Sequence, residues 1–152
     1  MVAKAPTIDA DAIVLDLEDS VPISEKLLAR ETVSKALMDW PTDGPAAFVR
    51  VNAPRFGWVR EDAAVIRSHP TVGVIVPKVD RPIELEIVFD ALGSRERELL
   101  VNIETPRSLL QSEAFADTHG VAGLFLGGED LTLSLGMQRT SEGNELLVPR
   151  LL

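Results

Sequence analysis

Leu100-Val101-Asn102-Ile103-Glu104-Thr105 and Leu124-Phe125-Leu126-Gly127-Gly128-Glu129-Asp130 are the two stretches on which the fold turns. Each is a short apolar run that ends in acid. Four or five apolar residues closed by glycine or by Thr-Pro read as a buried strand. Parallel α/β sheets keep their chemistry at the carboxyl edge of the strands, so Glu104 and Asp130 are expected at one crevice, on neighbouring strands. Two hard oxygen ligands suit Mg2+, which usually takes one or two carboxylates and fills its remaining positions with water and substrate. The same acids could instead cap the helices that follow, Asp130 before Leu131-Thr132-Leu133 above all. Both readings stand on the residues alone.

Three more runs precede these two. Ile13-Val14-Leu15 is continuous and apolar, as expected of a strand covered on both faces, and leads into Asp16, Glu18 and Asp19. Ala46–Asn52 is the second strand and carries Arg50 within it. A guanidinium there must be paired or face a cavity, because an unpaired buried charge is very costly; a structural ion pair is one reading and an anion site the other. Val72–Lys78 is the third, closed by Pro77 with Lys78 at its mouth. Leu99–Ile103 and Val121–Leu126 complete the set. The strand starts are spaced by 22 to 34 residues, the length of a βα unit. Helical patterns fill the gaps: one after Ser24, a fair N-cap, then Val59–Arg67, Pro82–Leu92, a segment opening at Pro106 and stopped by Gly120, and a short turn from Glu129 closed by Gly136. Glu142–Leu152 reads as the start of a further helix. Five consecutive βα units define the parallel α/β class, in one domain over 1–152.

Composition narrows the partners. The 152 residues carry a net charge of −9, which argues against nucleic acid and anionic membranes. There is no cysteine, so thiol nucleophiles, thiolate metal sites and disulfides are excluded. No apolar run reaches a membrane span, and the first residues lack the apolar segment of a signal peptide, so a cytoplasmic protein is expected. His69 and His119 lie beside Pro70 and Gly120 and read as loop residues.

Five motifs in order resemble one family. Asp11-Ala12-Ile13-Val14-Leu15-Asp16-Leu17-Glu18-Asp19-Ser20-Val21-Pro22, with Lys26 and Ala29-Arg30 after it, resembles the opening of citrate lyase β-subunit-like proteins, part of the HpcH/HpaI aldolase family with malyl-CoA and citramalyl-CoA lyases. Phe48-Val49-Arg50-Val51-Asn52, Val74-Ile75-Val76-Pro77-Lys78-Val79, Ile103-Glu104-Thr105 and Gly127-Gly128-Glu129-Asp130-Leu131 are similar to that family's later motifs.

The resemblance implies a (β/α)8 barrel and reversible carbon–carbon cleavage of a 3-hydroxyacyl-CoA or related small hydroxy or keto acid. It implies that Glu104 and Asp130 hold Mg2+ and that Arg50 binds the substrate's carboxylate or oxyanion. It also implies that the amides near Gly128 and Glu129 help hold an acid group. Glu18 and Asp19 are expected to support Arg50 or the metal's waters, or to be structural. Lys26 and Arg30, four apart on one helix face, either meet CoA phosphates or form a solvated face. A barrel of this kind needs at least about 200 residues. The five units are therefore expected to be barrel strands two to six, a partial barrel with open edges that self-associates as a homo-oligomer. The alternative is a catalytically incomplete piece that keeps a Mg2+ and keto-acid pocket or serves subunit association. A phosphoacceptor receiver, suggested by Leu15-Asp16-Leu17 and Pro77-Lys78, lacks the acidic pair its first strand would need.

Overall fold

The computed structural model describes residues 2–151. Five strands form one parallel sheet in sequence order: β1 (Ala12–Asp16), β2 (Ala46–Arg50), β3 (Gly73–Val76), β4 (Leu99–Ile103) and β5 (Val121–Leu126). Parallel neighbours need a crossover, and helices supply it: α1 (Lys26–Met38), α2 (Val59–Ile66), α3 (Leu85–Leu92), then α4 (Pro106–Leu109) with α5 (Ser112–Ala116). After β5 come α6 (Gly128–Ser134) and α7 (Leu147–Leu151). The five strands and the α/β class agree with the expectation from sequence. His69 and His119 lie outside helices and strands, and each offers its backbone carbonyl to an arginine, Arg97 and Arg95 respectively.

Strand alternation sorts the side chains onto two unlike faces. Leu15, Val49, Val74, Val76, Leu99 and Val101 point to one face and are buried with Val33, Leu37, Ala63, Ile66, Val88, Phe89 and Phe115 from the helices. Each Val, Leu, Ile or Phe among them contributes about 1.5–3 kcal/mol on leaving water. The other face carries Val14, Phe48, Arg50, Ile75, Leu100, Asn102 and Phe125, by the register that pairs Val14 with Phe48, Arg50 with Ile75, Ile75 with Leu100 and Asn102 with Phe125. None of these belongs to the apolar cluster that the helices cover, and Val14 and Phe125 are half exposed. The Phe48 ring lies over Gly73, so close that a Cβ there would overlap it.

Four expectations need correction. β1 is not covered on both faces: it is an edge strand, and Val14 is 50% exposed because it points to the open face. β5 is not a buried strand either; it forms the other edge, and Phe125 is 56% exposed. Ser24 does not cap α1. Ile23–Glu25 form a 3-10 turn after Pro22, and α1 starts at Lys26 with no side-chain cap. The segment opened by Pro106 is two helices rather than one. Thr105 caps α4 and accepts from Ser108 N–H, while the Ser108 hydroxyl donates to the Thr105 carbonyl, a local bond that competes with helix propagation. A restart at Ser112 lets Phe115 turn fully inward. The last helix begins at Leu147, after a 3-10 turn at Asn144–Leu146, and its expected end at Leu152 falls outside the described residues.

Candidate functional site

The carboxyl ends of β1 to β4 and the start of α6 meet at one edge of the sheet. Five strand-end segments bring seven ionisable groups there: Asp16, Glu18, Asp19, Arg50, Lys78, Glu104 and Asp130. The parallel register does the first part of the work. Asp16 and Arg50 are direct partners on β1 and β2, so their side chains project from the same face. Arg50 Nε donates to Asp16 Oδ1 at 2.7 Å and Nη2 donates to Oδ2 at 2.6 Å, a two-point fork. The third nitrogen, Nη1, lies 3.4 Å from Glu18 Oε2 and keeps donor capacity toward the open face. Burial pushes the Asp16 carboxyl up, but hydrogen bonds from Arg50, Ser20 and Glu18 N–H more than cancel it, leaving it well below the usual carboxylate range. The same fork holds Arg50 above its ordinary value.

Lys78 ties the other acids together. Its Nζ is 2.8 Å from Glu18 Oε1 and 2.5 Å from Asp19 Oδ2, and 4.0 Å from Asp130 Oδ2. Its backbone N–H donates to Glu104 Oε1 at 2.6 Å. Glu104 is 1% exposed, and its second oxygen accepts from Asn102 Nδ2 at 2.5 Å. Burial raises Glu104 to about 7; the Lys78 N–H opposes this, and the nearby charges of Glu18 and Asp130 add to it. Burial also raises Glu18, against the pull of Lys78. Gly127 passes so near that a Cβ would sit 2.6 Å from Glu104 Cβ and 2.9 Å from Asn102 Oδ1. Glycine is therefore required where β5 leaves the sheet.

The residues singled out from sequence separate into two groups. Arg50, Glu104, Asp130, Glu18 and Asp19 converge at this edge. Glu129, Lys26 and Arg30 are engaged elsewhere. Gly128 opens α6 as expected, but the Glu129 side chain is exposed and takes its hydrogen bond from Arg139. Lys26 is neither a solvated face nor free for a phosphate. It is buried, its ammonium donates to the carbonyls of Leu17 and Glu18, and burial lowers its pKa. Arg30 Nε donates to Asp62 at 2.7 Å.

Four contributors were not among the chosen site residues. Asp16 was legible as the acid in register with Arg50, once adjacent strands are aligned by their acid ends. Lys78 was visible at the mouth of β3 but was given no role. Asp62, fully buried, accepts from Arg30 and from both the backbone and side-chain nitrogens of Asn52, and so fixes the end of β2. Its position inside α2 gave no signal. Asn102, the sole polar residue of β4, could have been noticed as an amide two residues before Glu104, on the same face.

Among the described residues, no three His, Asp or Glu side chains are arranged to hold a metal by themselves. A pair of hard oxygen donors with one buried, high-pKa carboxylate fits Mg2+ that relies on water and ligand for its other positions. In chemical class, the molecule is a parallel (β/α) protein with a carboxylate- and arginine-lined site at the carboxyl edge of its sheet, matching part of a TIM barrel. More particularly, the chain belongs to the HpcH/HpaI aldolase/citrate lyase family, whose model matches residues 1–150. It is 35% identical over 99% of its length to a citrate lyase subunit beta-like protein of Deinococcus radiodurans, of which it covers 55%. It is 30% identical over 87% of its length to a (3S)-malyl-CoA thioesterase of Cereibacter sphaeroides, of which it covers 46%. Among solved structures, it superposes on the citrate lyase beta subunit of M. tuberculosis complexed with oxaloacetate and magnesium with a TM-score of 0.67. That match is 27% identical and covers 88% of this chain and 56% of the other. The chain thus spans about half the length of the curated relatives it matches. No described helix is long and apolar enough to cross a membrane.

Proposed function

We propose that this chain carries the metal- and acid-binding part of a Mg2+-dependent carbon–carbon lyase acting on a small hydroxy or keto acid, with a CoA thioester as one form of the acyl partner. The observation that supports this best is the convergence of Glu104, Asp130 and Arg50 at one sheet edge. Glu104 and Asp130 would hold the metal. Mg2+ bound there supplies a Lewis acid that draws electron density from an oxygen of the acid. Glu104 is buried and already held by two donors, so it would not reorganise on binding. Arg50 is fixed by Asp16 through two nitrogens and presents Nη1 as a static positive donor to a carboxylate or to the oxygen that gains charge as the carbon–carbon bond breaks. Glu18 and Lys78 keep that guanidinium and the metal-binding acids in one charge network. Gly128 at the start of α6 leaves backbone N–H groups near the same edge.

The test is a coupled assay for pyruvate, oxaloacetate or acetyl-CoA release from hydroxyacyl-CoA substrates, with Mg2+ and with EDTA. Turnover that depends on Mg2+ and is lost in Glu104→Gln supports the lyase. A second reading, binding of metal and keto acid without turnover, is favoured by the open face. Val14 and Phe125 are half exposed there, so the sheet face beside the site is open to water. Mg2+-dependent pyruvate binding with no product release would select it. The same exposed apolar side chains support self-association into a homo-oligomer. Sedimentation giving a monomer over a wide concentration range would remove that part.

A further inference from the structure

Lys78 is the one non-glycine among the described residues with a positive φ, at 52°. Such a backbone is uncommon for a long side chain, and strain of this kind gathers at functional sites. Here it has an evident consequence. The left-handed turn sends the N–H of Lys78 toward Glu104 Oε1 and its side chain back toward Glu18 and Asp19, with Nζ within 4.0 Å of Asp130. The carbonyl is in turn held by Arg55 Nη1 at 3.2 Å. Glu18 is nearly fully buried, yet neither of its carboxylate oxygens receives a well-aligned hydrogen bond. Charge alone compensates it, from Lys78 and, at 3.4 Å, from Arg50 Nη1. Arg50 is already committed to Asp16. One ammonium therefore serves Glu18, Asp19 and Asp130 together.

We propose that Lys78 is the positioning residue of this site, holding Glu104 through its backbone N–H while its ammonium competes with the divalent ion for Asp130. This rests on the reading of Glu104 and Asp130 as metal-holding residues. The two halves of the residue act in opposite directions on the metal. The N–H fixes a carboxylate in place and survives any substitution that keeps the left-handed backbone. The ammonium is a like charge at the cation's own address, and removing a like charge a few ångströms away strengthens cation binding even in water-like surroundings.

The experiment measures Mg2+ affinity by isothermal titration calorimetry, and the thermal midpoint with and without Mg2+, for the parent chain, Lys78→Met and Lys78→Gly. Glycine adopts the backbone angle freely. Both variants are expected to bind Mg2+ about tenfold more tightly than the parent. They should have lower midpoints without metal, because Glu18 loses its close cation, and a larger rise when Mg2+ is added. Variants that fold only with Mg2+ also support the proposal. Affinity unchanged or weakened in both, with the parent binding normally, assigns Lys78 a purely structural part and overturns it, as does failure of both to fold with or without metal. A parent chain that shows no Mg2+ binding overturns the metal reading itself.

Discussion

The mouths of β4 and β5 look alike in sequence and differ in the folded chain. Both are apolar runs ending in acid. β4 is an inner strand with neighbours on both sides, and its acid, Glu104, is buried between the Lys78 N–H and the Asn102 amide. β5 is an edge strand, and Asp130, in the first turn of α6, keeps 36% of its side chain in water. The difference teaches that position in the sheet, more than the motif, sets the electrostatics of each carboxylate. A buried acid pays to ionise, which is why Glu104 is raised; a hydrated side chain such as that of Asp130 keeps more freedom to move. If both hold the metal as proposed, the pair would join a fixed, buried donor to a more mobile, hydrated one.

Substitutions should grade with that division between inner and edge strands. The largest loss is expected at Asp62, behind the inner strand β2. Asp62→Ala strips partners from Arg30 and Asn52 in the interior and should cost about 3 kcal/mol or more in urea unfolding. A loss below about 1 kcal/mol would mean that the network does not hold the strand end.

Glu104 comes next, through pH. Its pKa is raised from 4.5 to about 7 in the folded chain. Between these values the folded state keeps a proton that the unfolded chain releases, so its contribution is full below about 4.5 and is lost as pH rises through about 7. Metal-free stability should therefore fall by about 3 kcal/mol across that window. Glu104→Gln should flatten this fall, and Mg2+ binding to the parent should tighten over the same range, because the metal needs the carboxylate. An unchanged slope in the Gln variant would place the titrating group elsewhere.

Arg50→Lys keeps the charge and loses the fork. Keto-acid affinity should drop about tenfold. Unchanged affinity would confine Arg50 to its ion pair with Asp16. The smallest stability effect belongs to the edge: Asp130→Asn should shift unfolding by less than about 0.5 kcal/mol without metal, because Asp130 is hydrated and its nearest cation is 4.0 Å away.

Periodicity made the five strands legible because a parallel sheet covered by helices demands near-continuous apolar runs at βα spacing. Those demands are weakest at edges, and that is where the reading of β1 and β5 went astray. An apolar triplet such as Ile13-Val14-Leu15 cannot announce that one of its faces is left open. The convergence of Glu104 and Asp130 was legible from strand ends alone, whereas Arg50 joined them only through the family resemblance. The engagement of Lys26 and Arg30 was not, since a helix face shows which residues share a side but not which carbonyl or buried carboxylate lies opposite. Lys78 was missed for a related reason: its importance comes from a left-handed backbone, and nothing in Val-Pro-Lys announces one.

The convergence of the two unlike acids on one ion can be tested by the Mg2+-induced rise in thermal midpoint at pH 8, compared among the parent, Glu104→Gln and Asp130→Asn. A rise in the parent that disappears in Glu104→Gln and is strongly reduced in Asp130→Asn is the expected result. Both variants responding to Mg2+ as the parent does would contradict it.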